Sequence, residues 1–143
     1  MADYCAEIIS AVRAATPSAE HFPYDKRHGV LKIGTLKVIH GFYSGANSAK
    51  QTALAYGNCV FGHGHRFITA PVPGAHSGGR VVARGIGCLC SLDLDYNSRQ
   101  VDTLSQAQGW CYGVMDKRGR YWLHNAEVVN GKVMVSEDFK ILE

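Results

Sequence analysis

No stretch constrains this chain more than Leu36 to His65, where two apolar runs enclose an alanine-rich one. LKVIH has strand alternation, with Leu36, Val38 and His40 on one side. The stretch from Ala46 to Tyr56 has helix-forming composition, with Ser44 or Asn47 positioned to cap its start and Gly57 to end it. CVF then runs into Gly62-His63-Gly64-His65-Arg66. The order is strand, helix, strand, with His40 and His63 both just beyond strand ends. If the strands are parallel, these two histidines share one rim of a sheet.

The flanking sequence predicts one compact unit of α+β or α/β class. Cys5, Ile8, Ile9 and Val12 have the i, i+3, i+4, i+7 spacing of a helix face, which Thr16-Pro17 must end. SAEHFPYDKRHG, Ser18 to Gly29, has no periodicity and contains Pro23. Residues 1–29 are therefore expected to form an N-terminal helix and loop, and residues 30–143 the main body. VLKI and LKVIH, separated by Gly34-Thr35, read as two short strands. Beyond Ile68 the pattern turns to β: RVVARGI, GWCYGVMD, RYWLHNAEVV and KVMV, with Asn130-Gly131 as a hairpin turn, so the C-terminal part is expected to be a β meander. PVPGAHSGG and CSLDLDYNSRQVDTLSQAQ read as polar loops of the kind that frame a site.

At 143 residues and 46% hydrophobic, the chain has apolar material for one core and little for a second. Its 15 basic and 12 acidic side chains leave a net charge of +3, too small and scattered to mark a nucleic-acid or membrane binder. Five cysteines without framework spacing point to reduced thiols in a cytoplasmic setting. No window approaches the roughly 18 uninterrupted apolar residues of a membrane span.

In an extended backbone, residues two apart point to the same side, so His63 and His65 are expected to project together, with Gly62 and Gly64 permitting close approach of a ligand. Two histidines on a glycine-rich turn are more often exposed polar residues than ligands. Adding His40 at the end of a neighbouring strand favours a cluster, because three imidazoles on one rim would repel when protonated. Such a cluster suits zinc, manganese, iron or nickel.

IGTLKVIHGFYSGANSAKQTALAYGNCVFGHGHRFI, GIGCLCSLDLDY and GWCYGVMDKRGRYWLHNAEVVNGKV together resemble the C-terminal half of calcineurin-like metallophosphoesterases of the bacteriophage and bacterial type. VFGHGHR is similar to the family's Gly-His-x-His motif, and the HG of VIHG to the motif before it. The resemblance implies half of that family's β-sandwich, with two helices and the C-terminal meander. It also implies that His40 and His63 ligate one divalent metal and His65 the other, in a dinuclear site that hydrolyses phosphoesters. Arg66 is positioned either to hold a phosphate or to pair with a carboxylate, the latter being commoner.

The family's Asp-x-His, Gly-Asp and Gly-Asn-His motifs have no counterpart here; DKRH at Asp25 to His28 and GNC at Gly57 to Cys59 are the nearest strings. The chain therefore carries half a site. It is expected to act as a phosphoesterase only when a partner, either a separately encoded N-terminal half or a second copy, completes it. The alternative is a catalytically inactive binding module on the same scaffold. A sheet face left bare by the missing half needs a cover, which helix one or a partner would supply.

The remaining features have bland readings. Cys88-x-Cys90 lacks the spacing of zinc ribbons and reads as core. Asp93 and Asp95 read as exposed acids, and Trp110, Tyr112, Tyr121 and Trp122 as cross-strand packing. His21, His28, His76 and His124 read as isolated or surface histidines.

Overall fold

The computed structural model of the 143-residue protein describes residues 10–74, 78–92, 105–133 and 135. A helix, α1, covers residues 10–15 and stops short of Pro17, as proline requires. Cys5, Ile8 and Ile9 lie outside the described residues, and Val12 is 50% exposed, so α1 does not bury it against a sheet. No helix among the described residues is long and apolar enough to cross a membrane.

Among the described residues the fold is mixed α/β, with two sheets and two helices. The two expected strands, β1 (Val30–Ile33) and β2 (Leu36–Ile39), pair as an antiparallel hairpin. Helix α2 (Ser48–Tyr56) carries the chain to β3 (Cys59–Phe61), which lies parallel to β2. Then come β4 (Ile68–Pro73) and β5 (Arg80–Gly85). The five strands make one sheet in the order β1-β2-β3-β5-β4, with β5 parallel to β3. Strands β6 (Gly109–Met115), β7 (Tyr121–Val129) and β8 (Lys132–Val133) form the antiparallel meander.

Two expectations are corrected. RVVARG does not belong with the C-terminal meander; it enters the first sheet as β5, between β3 and β4. Pro71 to Pro73, expected in a loop, belong to β4, where an edge position lets proline's missing N–H face away from the ladder.

Alternation along the strands explains the layering. Ile39, Cys59, Phe61, Val81 and Ala83 form one face, and with Val72 they bury Ala49 and Ala53 of α2. The opposite face carries Leu36 and Val60, also buried, and is turned to the second sheet. There the amide and hydroxyl of Thr35 both donate to the Gly119 carbonyl in the β6–β7 turn. Arg84, beside Val60, is close enough to Cys111 of β6 and Tyr121 of β7 for its charge to act on both.

Gly57 closes α2 by donating its N–H to the Ala53 carbonyl at 2.9 Å, with φ +73°. Asn47 occupies the N-cap position without a side-chain capping bond. Gly57→Ala is expected to destabilise by about 1–3 kcal/mol through backbone strain alone, since the nearest neighbour of a new Cβ, Val81, is 4.0 Å away. Urea unfolding reads this directly, and an unchanged midpoint would show that the turn relaxes freely.

Candidate metal centre

Three adjacent strands, β2, β3 and β5, run parallel and end level with one another, with Ile39 opposite Phe61 and Phe61 opposite Gly85. The ladder continues one residue past each end, through Gly62 N–H to Ile39 carbonyl and Ile86 N–H to Phe61 carbonyl. The C-terminal ends of parallel strands are where open α/β sheets bind ligands. This rim receives His40 from β2, His63 and His65 from β3, and Cys88 from β5. Gly41 has φ +104°, and a Cβ there would sit 3.1 Å from His63 Cβ, so the glycine after His40 is a requirement of the close turn.

His63 and His65 do not lie in extended backbone, contrary to expectation. Both have positive φ, +66° and +51°, and the Gly64 N–H donates back to the Gly62 carbonyl across His63. Side chains in that region carry strain of order 1 kcal/mol or more, which tends to concentrate at ligand sites. The alternation that would project both imidazoles together is absent, so each is aimed separately.

His40 meets His63 with ring centroids 5.4 Å apart at 69°. Both side chains belong to exposed residues. With imidazole nitrogens roughly 2.0 Å from a zinc ion and ring centres about 1.1 Å further out, two tetrahedrally placed rings have centres roughly 5 Å apart. The observed 5.4 Å between ring centres is close to that separation. Tyr24 holds the other side of His40 edge-on at 5.0 Å, stacks on Phe42 and donates its hydroxyl to the Gly41 carbonyl. Burial, then the charges of His63 and His65, keep His40 below the ordinary imidazole value of 6.5, so its lone pair is available at neutral pH. Beside it opens a concavity of about 500 Å³ lined by Phe22, Tyr24, Leu31, Val38 and Phe42.

His65 is drawn to different neighbours. Among the described residues, His65, Cys88 and Cys90 form the group of three whose ligand atoms all lie within 4.8 Å of one another. This is a candidate His/Cys metal-binding cluster. His65 Nδ1 is buried and has no hydrogen-bond partner. Reading the two cysteines as core was wrong: Cys88 is half-buried and Cys90 exposed, whereas Cys59 is the buried one, its thiol pushed up to about 12 by burial. Burial, then a hydrogen bond with Cys90, also push the Cys88 thiol up. The described cysteines are free thiols.

Other sequence candidates have separate places. Arg66 Nε folds back toward the Gly64 carbonyl at 3.5 Å. DKRH is a local turn in which Asp25 accepts from the Arg27 and His28 amides and pairs with the His28 ring at 2.9 Å, which gives His28 a partner unforeseen in the sequence. His124 is not isolated; it tilts against Tyr112 across the β6–β7 pair. Asp93, Asp95 and His76 lie outside the described residues.

Comparison with protein-family models, curated proteins and solved structures gives no match. The chemistry therefore rests on the rim itself. Sequence reasoning set Cys88 and Cys90 aside as core for want of zinc-ribbon spacing, although VVARGIGC ends an apolar run in glycine just as CVFGHG does.

Proposed function

We propose that this chain is a metal-binding module built on a metallophosphoesterase-like scaffold, without hydrolytic activity of its own. The observation that carries it is the parallel β2–β3 register, which sets the His40 and His63 rings 5.4 Å apart at the ends of neighbouring strands. His40 and His63 hold one divalent ion, and His65 serves a second. The order of these residues, with a helix between the strands, agrees with the resemblance to the C-terminal half of the calcineurin-like enzymes.

A bound ion here supplies Lewis acidity toward a phosphate or other anionic ligand. The chain's own groups hold and orient it: Tyr24 buttresses His40, and Gly41 keeps the turn tight against His63. Imidazoles alone leave two dications poorly neutralised, so hydrolysis needs carboxylates beside the histidines, which in the resembled family come from the Asp-x-His and Gly-Asp motifs.

A second reading, the histidine-bearing half of a completed phosphoesterase, is favoured by strand β1. Among the described residues, β1 is one of the two edges of the five-stranded sheet, the one without proline, and it exposes Leu31 and Ile33 next to the strand that ends in His40. Unpaired apolar edges invite another strand.

The test assays the 143-residue chain with manganese or zinc on aryl phosphomonoesters and diesters. Metal binding without turnover is expected, with turnover appearing only on addition of a polypeptide that carries Asp-x-His and Gly-Asn-His. Sustained hydrolysis by the chain alone, lost in His63→Ala, would overturn the module reading; absence of metal binding would overturn both.

A further inference from the structure

We infer that His65, Cys88 and Cys90 together bind a thiophilic divalent ion, zinc above manganese or magnesium, at a site distinct from the His40–His63 pair. The inference identifies the partners of His65's ion and does not depend on the phosphoesterase kinship.

The ligand atoms lie within 4.8 Å of one another, whereas a tetrahedral zinc with sulfur at about 2.3 Å and nitrogen at about 2.0 Å needs separations of roughly 3.5–3.8 Å. The observed separations exceed these by at most about 1.3 Å, and Cys90, being exposed, is not held in place by packing. The backbone that carries the three residues is already stapled. Ala107 donates its N–H to the His65 carbonyl at 2.8 Å and accepts the Cys88 N–H at 3.0 Å. Gly109 N–H then donates to the Cys88 carbonyl, and the Gln108 side-chain amide to that of Cys90.

His65 Nδ1 gives the independent indication. A buried ring nitrogen without a partner costs free energy that a ligand would recover, and its residue is also held at positive φ. Two sulfurs and one nitrogen select against hard cations, which prefer oxygen. On binding, each thiol releases its proton to solvent, and two thiolates neutralise the dication. Three protein ligands leave a fourth position open to water or to an incoming ligand.

The experiment titrates the reduced 143-residue chain with cobalt(II) as a spectroscopic stand-in for zinc. One equivalent is expected to produce sulfur-to-cobalt charge-transfer absorption in the near ultraviolet with the strong visible bands of tetrahedral cobalt, and zinc is expected to bleach both. Cys90→Ser, an exposed substitution, should keep the circular dichroism spectrum and lose about half or more of the charge-transfer intensity, and His65→Ala should weaken cobalt binding at least 10-fold. His40→Ala/His63→Ala should retain the band. Its absence in the wild type at saturating cobalt, or its undiminished intensity in Cys90→Ser, would overturn the inference. A persistent band with no further equivalent bound at His40 and His63 would instead remove the proposed function and leave this site standing.

Discussion

Phe61→Ala is expected to lower the stability of the chain by about 3–5 kcal/mol, the range for emptying a fully buried aromatic site. Phe61 is 1% exposed and ends β3, in the core that α2 covers. Its ring also lies where side chains at Gly41 and Gly85 would have to go: a Cβ at Gly41 would stand 3.3 Å from the ring, and one at Gly85 3.1 Å. One aromatic ring thus fills the space under the ends of β2 and β5 together. A loss of this size is a large part of the 5–15 kcal/mol typical of a domain, and for a urea dependence of about 2 kcal/mol per molar it moves the midpoint by roughly 2 M. The same variant should bind metal less tightly, because the turn that carries His40 loses its floor. A change under about 1 kcal/mol in urea unfolding would mean that the ring is not the packing element described.

His63→Ala is expected to weaken binding of the ion at His40 by more than 100-fold, beyond the 10–100-fold typical of removing a supporting residue, because a direct ligand is lost. His124→Ala, on the β6–β7 pair, should leave it unchanged. Calorimetric titration with zinc reads both. The pH dependence has a definite sign. A protonated imidazole offers no lone pair, so affinity falls as pH drops through the imidazole titration. Burial and the neighbouring imidazoles hold His40 below 6.5, so the loss attributable to His40 begins at lower pH than for an ordinary histidine. Affinity that rose on acidification would contradict ligation by neutral imidazole.

Much of the rim was legible in the sequence because its determinants are local. The alternation of LKVI, the composition of α2 and the stop at Gly57 are all written within a few residues, and the β1–β2 and β7–β8 turns carry their glycines in place. What was not legible is which strands become neighbours. RVVARG looks the same whether it joins a meander or inserts beside β3, and only the second arrangement brings Cys88 and Cys90 to His65. Proline in β4 reads as a loop until the strand is known to be an edge. The positive φ at His63 and His65 is equally hidden, since histidine in a Gly-x-Gly-x string does not announce a left-handed turn. Alternation applied to that string projects His65 alongside His63; the left-handed backbone instead leaves its ring within 4.8 Å of the Cys88 and Cys90 sulfurs.

The most direct measurement is an anomalous difference map at the zinc absorption edge from crystals of the 143-residue chain grown with zinc. A peak between the His40 and His63 rings, with a separate one bounded by His65, Cys88 and Cys90, is the expected result. Full occupancy of zinc at surface carboxylates with both rim positions empty would contradict a metal-binding rim at the ends of β2, β3 and β5.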